Sequence, residues 1–156
     1  LCIRAVRGGR LSNRLSTAPI GTRFAMSGPN GYFLFRPSPR PPVFVATGTG
    51  IAPFVSMARS GIRGFTLLHG IRESDHNYYA TIWRQTAARH VACITGSSAS
   101  SSSEVFKGRV GDYLMQELAP GAYDLYLCGR REMVRDVTWI VDDRFEGSLV
   151  YTEIFF

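Results

Sequence analysis

Eleven residues decide the fold of this chain: Val43-Phe44-Val45-Ala46-Thr47-Gly48-Thr49-Gly50-Ile51-Ala52-Pro53. The apolar run at 43–46 predicts a strand that is buried on both faces of a parallel sheet. The glycines predict a tight turn, and Pro53 suits the first turn of a following helix. Glycines let a pyrophosphate approach the backbone, and the N-terminus of a helix offers it free N–H groups. The stretch therefore predicts phosphate binding, with a purely structural strand–helix turn as the alternative.

The rest of the chain repeats this alternation of strand and helix. Apolar runs and turn residues predict further strands at 65–68, 91–95, 125–128 and 150–155, and helices at 51–59, 78–88, 110–118 and 132–141. Strands and helices that alternate at this spacing indicate a doubly wound α/β fold. We therefore expect a five-stranded parallel sheet with helices on both faces. The serine-rich segment 96–103 is expected to be a mobile loop.

The first forty residues follow a different pattern. They predict strands at 3–6, 23–27 and 32–35 and a short helical turn at 12–15. The segment Arg36-Pro37-Ser38-Pro39-Arg40-Pro41-Pro42 follows, and a proline-rich stretch of this kind forms a stiff linker. We therefore place the boundary between two structural parts of the chain at residues 37–42.

Composition and charge narrow the function classes. The formal net charge of +6 includes 17 arginines, which suits an anionic partner. These arginines are scattered rather than clustered, so no nucleic-acid partner is expected. No apolar stretch reaches the roughly 20 residues of a membrane span, so no membrane association is expected. The three cysteines and three histidines show no metal-ligand spacing, so we expect no metal, reduced thiols and a cytoplasmic location.

The glycine turn departs from the common dinucleotide fingerprint in two ways. It reads Gly-x-Gly-x-x-Pro, so the third glycine is absent. In addition, Arg72 follows the second strand, where an acidic residue would hold the ribose of NAD.

Three segments together resemble the ferredoxin–NADP reductase superfamily. They are Thr47-Gly48-Thr49-Gly50-Ile51-Ala52-Pro53, Leu127-Cys128-Gly129-Arg130-Arg131-Glu132-Met133 and Tyr151-Thr152-Glu153-Ile154-Phe155-Phe156. The resemblance implies an NAD(P)H-dependent flavoprotein oxidoreductase. Its flavin would be FAD, with FMN as the alternative, and it would pass electrons to a ferredoxin, a flavodoxin or an oxygenase component.

The same resemblance implies roles for individual residues. Cys128 would lie near the nicotinamide ring and Glu153 would line the same site, both as catalytic residues; a small buried cysteine and an exposed strand residue are the alternatives. Phe155 would stack on the flavin, unless it fills the core or Phe156 takes its place. The remaining residues implied in cofactor binding around these two turns are Thr47, Gly48, Thr49, Gly50, Pro53, Gly129, Arg130 and Met133.

The N-terminal part also resembles this family. The segment around Gly9 and Ser12 resembles the part that holds the flavin pyrophosphate, and residues 28–33 resemble the last turn of the flavin-binding barrel. The family's Arg-x-Tyr-Ser flavin motif is not found in the chain. We therefore expect residues 1–36 to be the final part of an antiparallel β-barrel, residues 37–42 a linker, and residues 43–156 the NAD(P)-binding domain.

The choice between NADPH and NADH depends on the 2′-phosphate. The resemblance to NADPH-dependent members implies that Arg72, Lys107 and Arg109 contact this phosphate; solvated surface side chains are the alternative. The Ser-Arg pair of those enzymes is replaced here by the serine-rich segment. Two other functions stay open, namely an NADH-dependent reductase component of an oxygenase or electron-transfer complex, and a non-catalytic nucleotide-binding module.

Overall fold

The apolar run at 43–46 forms part of a six-stranded parallel sheet in the computed structural model. The structure describes residues 2–28, 30–97 and 104–155. Its elements, in chain order, are α1 Arg10–Thr17, β1 Pro42–Thr47, α2 Ala52–Arg59, β2 Phe65–Ile71, α3 Ala80–Thr86, β3 Ala87–Ile94, β4 Val105–Lys107, α4 Val110–Gln116, β5 Asp124–Gly129, α5 Arg131–Arg144 and β6 Leu149–Ile154.

The sheet has the strand order β4-β3-β2-β1-β5-β6, and every pair is parallel. From β1 the chain first builds β2, β3 and β4 on one side, and it then returns to place β5 and β6 on the other side. The direction of winding therefore reverses between β1 and β5. In open α/β sheets this reversal leaves a crevice at the carboxyl ends of the two strands.

Alternate side chains of β1 enter two different cores. Val43 and Val45 join a buried cluster that includes Leu114 and Val137, from α4 and α5. On the other face, the ring of Phe44 stacks on Phe54 of α2, with ring centroids 4.6 Å apart. Helices thus cover both faces of the sheet, and the predicted doubly wound parallel fold is confirmed.

The segment that leads into β1 is hydrogen-bonded to side chains of β5. The backbone N–H of Arg36 donates to the Tyr126 hydroxyl at 2.9 Å. Arg40 Nε donates to Oδ1 of the buried Asp124 at 2.6 Å. By its contacts the chain divides into two compact units, Leu1–Tyr32 and Phe33–Phe156. Residues 33–41 therefore pack with the sheet.

Two sequence predictions about the fold need correction. The sheet has six strands instead of five, because the three-residue β4 pairs with β3 at positions that carry no strong local strand signal. The antiparallel barrel segment is not confirmed. Within the described part of Leu1–Tyr32, the structure has one helix, α1, and no strand.

The physical reason is the lack of backbone pairing. An extended segment becomes a strand only when a second backbone pairs with it. In the described part of this unit, the backbone hydrogen bonds outside the helix are two local turns, from Gly9 N to Val6 O and from Thr22 N to Pro19 O. The segments predicted as strands at 3–6, 23–27 and 32–35 are unpaired, and none of them forms a strand. The short helical turn predicted at 12–15 is present as the longer α1.

Several predictions concern positions outside the described residues. They include Pro29 in the predicted barrel turn, most of the predicted serine-rich loop (98–103), and Phe156. Across the ranges that are described, no helix combines the length and apolar character needed to cross a membrane.

Candidate functional site

The crevice between β1 and β5 brings together the two glycine-containing turns. β1 ends at Thr47 and continues into a 3₁₀ turn, Gly48–Ile51, and then into α2. β5 ends at Gly129 and continues almost directly into α5. Ala46 and Cys128 are register partners, so both turns start at the same level of the sheet. The structure thus places two helix N-termini side by side, although these segments are far apart along the chain.

The Gly48–Ile51 turn requires glycine at two positions for different reasons. Gly48 has a φ of 53°, in the left-handed region that glycine adopts without strain. Gly50 is buried against the end of β5, where an added Cβ would lie 2.6 Å from the carbonyl carbon of Cys128 and 2.8 Å from Gly129 Cα. Pro53 occupies the first turn of α2, where its missing N–H costs no hydrogen bond.

Thr47 joins the two turns through its side chain. The backbone N–H of Arg130 donates to the Thr47 hydroxyl at 3.1 Å. Gly129, with a φ of 147°, packs so tightly on Thr47 that an added Cβ would lie 3.0 Å from its backbone nitrogen. The relative position of the turns is therefore set by direct contacts between residues 47, 129 and 130.

Cys128 and Glu153 are register partners on β5 and β6. Cys128 is fully buried and Glu153 is half-buried. Burial, reinforced by the negative charge of Glu153, raises the pKa of the Cys128 thiol to about 12. The thiol is thus protonated at neutral pH, so it cannot act as a thiolate nucleophile.

We expect the three cysteines to differ sharply in reactivity. Burial also raises the pKa of Cys93 to about 12, whereas Cys2 is partly exposed. At pH 8, iodoacetamide should alkylate Cys93 and Cys128 at least about a hundredfold more slowly than Cys2, because the thiolate is the reactive form. Mass spectrometry of labelled peptides would measure the three rates, with urea-denatured protein as the control. Equal labelling of Cys2 and Cys128 in the native protein would contradict this prediction.

A cleft of about 380 Å³ opens beside the second turn. It is lined by Arg130, Arg131, Glu132, Ile154 and Phe155. The backbone N–H of Phe155 donates to the Gly129 carbonyl at 2.8 Å, so the half-buried Phe155 ring follows directly on β6. Met133 lies elsewhere, since its side chain packs against the core cluster on the α4–α5 face.

The basic residues follow strands on one side of β1. Arg72 comes directly after β2, Lys107 ends β4, and Arg109 immediately precedes α4. All three are exposed. The carboxyl ends of parallel strands lie at one edge of the sheet, so these cations share an edge with the Gly48–Ile51 turn. β4 is three strand spacings from β1, or about 14 Å.

Gly9 and Ser12 lie together in the separate unit Leu1–Tyr32. Gly9 immediately precedes α1, and no side chain caps this helix. The Ser12 hydroxyl accepts a hydrogen bond from the backbone N–H of Val6 at 3.3 Å. The local arrangement is thus a glycine turn at the start of a helix.

Sequence reasoning missed one residue of the site, His69. The histidines show no metal-ligand spacing in the sequence, and the second strand was predicted to end at residue 68, before His69. In the structure β2 continues to Ile71, and the fully buried His69 ring lies 3.2 Å (Nε2 to O) from the Gly48 carbonyl. The available signal was a histidine directly after the apolar residues 67 and 68 of a strand that neighbours β1.

Comparisons with known proteins agree with this geometry. The family model "Oxidoreductase NAD-binding domain" matches residues 44–138. The toluate 1,2-dioxygenase electron transfer component of Pseudomonas putida is 32% identical over 146 aligned positions, which cover 87% of this chain and 43% of that protein. Ferredoxin–NADP reductase B of Sorangium cellulosum is 40% identical over 70 positions, which cover 44% of this chain and 29% of that protein.

A solved structure shows the same fold. The cytochrome P450 reductase of Amycolatopsis superposes with a TM-score of 0.76 at 24% identity, over 98% of this chain and 50% of that one. The chain spans less than half the length of the two relatives described above.

Proposed function

The chain belongs to the oxidoreductase NAD-binding domain family, and from this premise we propose that it provides the pyridine-nucleotide site of a ferredoxin-reductase-like flavoprotein. One observation carries the proposal. Gly50 packs directly on the backbone of Cys128 and Gly129, at the point where the winding of the sheet reverses. This contact joins the glycine turn after β1 to the strand that carries the buried Cys128 thiol.

The residues of the crevice fit a pyrophosphate. Gly48 faces open space on the side where a Cβ would lie, since an added Cβ would meet no atom within 4 Å. Neither the 3₁₀ turn Gly48–Ile51 nor α5 has a side-chain hydrogen bond at its N-cap, so the start of each helical segment can offer backbone N–H groups to an anion. In this proposal residues 47–50 and Pro53 hold the pyrophosphate, and Gly129 and Arg130 line the opposite side of the crevice.

The nicotinamide end of the cofactor is proposed to lie at Cys128, Glu153 and Phe155. The register of β5 and β6 places Cys128 beside Glu153. The hydrogen bond from the Phe155 N–H to the Gly129 carbonyl places Phe155 at the same end of β5. When bound, the cofactors supply the redox chemistry: hydride passes from nicotinamide to a flavin, FAD or FMN, and single electrons then leave for a partner. Cys128 provides a neutral, fully buried side chain behind this end of the site. Phe155 provides an aromatic ring, and Met133 supports α5.

Gly9 and Ser12 are proposed to contribute to the flavin pyrophosphate site. The support is local, since Gly9 precedes an uncapped helix in the same way as the two nucleotide turns. We keep the boundary of the NAD(P)-binding domain near the proline-rich linker as a proposal. The three free thiols support a reducing, cytoplasmic location.

The electron acceptor is proposed to be a ferredoxin, a flavodoxin or an oxygenase component. The name of the Pseudomonas putida relative, a dioxygenase electron transfer component, favours an oxygenase partner as a second candidate. The name of the Sorangium cellulosum relative favours ferredoxin and NADPH. These two functions differ in their preferred nucleotide, which can be measured directly.

Titration calorimetry with NADPH and with NADH tests the proposal. The isolated chain should release or absorb heat on binding at least one of them. An absence of binding to both would contradict the proposed nucleotide site. Tighter binding of NADPH would support the ferredoxin or flavodoxin reductase, and tighter binding of NADH would support the oxygenase component.

An Arg109→Ala variant tests the proposed contact between the basic residues and the 2′-phosphate. We expect this variant to lose at least about tenfold in affinity for NADPH while its affinity for NADH stays the same, because only NADPH offers a 2′-phosphate for a charge-assisted contact. The matched control is Arg144→Ala, since Arg144 is exposed at the far end of α5. Equal losses for both nucleotides would contradict a role for Arg109 at the 2′-phosphate.

A further inference from the structure

His69 is a buried polar residue that contacts the glycine turn. β2 pairs with β1 so that His69 is the register partner of Ala46, the residue before Thr47. From this position the ring reaches past the end of β1, and Nε2 lies 3.2 Å from the Gly48 carbonyl oxygen. Because a carbonyl oxygen only accepts, the ring nitrogen must be the donor of this hydrogen bond.

The protonation state of the ring follows from its burial. Burial lowers the pKa of His69 to about 4, and the contacts with the Gly48 carbonyl and the Asn77 side chain only partly offset this effect. The ring is therefore neutral at neutral pH and carries one proton, which the Gly48 contact assigns to Nε2. Nδ1 is then unprotonated. The Asn77 side chain lies next to the ring, and its Oδ1, like Nδ1, makes no hydrogen bond in the described part of the chain.

Peptide geometry gives this contact a consequence in the site. A trans peptide is planar, and its C=O and N–H groups point in opposite directions. With the Gly48 carbonyl turned toward the buried ring, the N–H of Thr49 must point away from it. The 3₁₀ turn Gly48–Ile51 already directs its carbonyls toward its C-terminal end and its N–H groups toward its start. The hydrogen bond from His69 is a side-chain contact that holds the Gly48 carbonyl in this orientation.

We propose that His69 is a positioning residue of the nucleotide site, which aims the Thr49 N–H at the pyrophosphate by holding the Gly48 carbonyl. This inference rests on the proposed function. The pyrophosphate is common to NADPH and NADH, so His69 acts on the affinity for both nucleotides equally. Its action differs in this respect from that of Arg109, which discriminates between them.

Two substitutions of His69 separate positioning from packing. His69→Leu replaces the ring with an apolar side chain of moderate size and so removes the donor. It should lower the affinity for both nucleotides by about tenfold, the equivalent of one hydrogen bond. His69→Gln keeps an amide donor at a similar reach and should restore affinity to within about threefold of the wild type. If His69→Leu does not fold, His69→Asn replaces it, because its shorter amide cannot reach Gly48.

His90→Leu is the matched control. His90 lies on β3 of the same sheet and is half-buried, and burial lowers its pKa to about 4. Its ring neighbours Trp83 at 6.4 Å between centroids, and its Nε2 has no hydrogen-bond partner among the described residues. The His90→Leu variant should change the melting temperature without changing the affinity for either nucleotide.

Titration calorimetry on the four proteins, together with thermal unfolding, decides the proposal. Nitrogen NMR of the His69 ring provides a second readout, with protonated Nε2 and unprotonated Nδ1 expected at pH 7. If the wild type binds and His69→Leu binds equally tightly, the inference is overturned while the proposed function stands. A proton on Nδ1 would have the same consequence. If the wild type binds neither nucleotide, the proposed function fails and the inference fails with it.

Discussion

A Gly50→Ala variant is expected to bind pyridine dinucleotides about a hundredfold more weakly than the wild type, because the new methyl group would force the turn away from β5. The atoms that it would meet are backbone atoms of Cys128 and Gly129, at 2.6 and 2.8 Å. Backbone inside a paired strand cannot move aside as the end of a flexible side chain can. The turn must therefore shift, and the crevice loses its shape.

The same substitution should also destabilise the fold by about 1–3 kcal/mol, the usual cost of overpacking. Urea denaturation measures this loss, and calorimetry with the preferred nucleotide measures the affinity. Gly121→Ala is the matched control, because a Cβ at Gly121 would meet only the Tyr123 ring at an ordinary 3.4 Å. An affinity of Gly50→Ala within threefold of the wild type would show that the contact between the turns does not shape the site.

A Phe44→Ala variant is expected to lose about 3–5 kcal/mol of unfolding free energy, the typical cost of removing a buried aromatic ring. Phe44 is fully buried in the middle of β1. Its ring stacks on Phe65 and Phe54, with centroids 4.4 and 4.6 Å apart, and meets Tyr126 edge to face at 5.4 Å. The surrounding rings come from three different elements, so the cavity cannot close by moving one of them.

Trp139→Ala is the control for Phe44→Ala. The Trp139 side chain on α5 is 63% exposed, and its main aromatic contact is the guanidinium of Arg135 at 5.1 Å. Its removal should cost at most about 1 kcal/mol. Urea denaturation of both variants makes the comparison. A Phe44→Ala loss as small as that of Trp139→Ala would contradict the central role of the Phe44 stack.

The sequence predicted the elements that depend on local signals. The apolar run at 43–46, the glycine turn and Pro53 predicted β1, its turn and α2, and the structure contains all three. Strand ends were less predictable. β2 was expected to end at residue 68, but it continues to Ile71 because β3 pairs with it, with Gly70 opposite Cys93 and Ile71 opposite Ile94. This pairing is what buries His69.

The N-terminal prediction failed for a related reason. The residues at 3–6 and 23–27 are locally compatible with strands, but no described strand pairs with them. Conversely, β4 forms from only three residues because β3 offers it a partner. A strand is a property of two segments, so a local pattern predicts only its possibility.

The amino-acid sequence by itself determined the alternation of strands and helices, the two glycine-containing turns and the cysteine that accompanies one of them. These features depend on residues that are neighbours along the chain. Only the tertiary structure decided that Thr47 and Arg130, 83 residues apart, share a hydrogen bond, that Gly50 rests on the Cys128 backbone, and that His69 reaches the Gly48 carbonyl. Such contacts follow from strand order and register, which are set by the packing of the whole sheet.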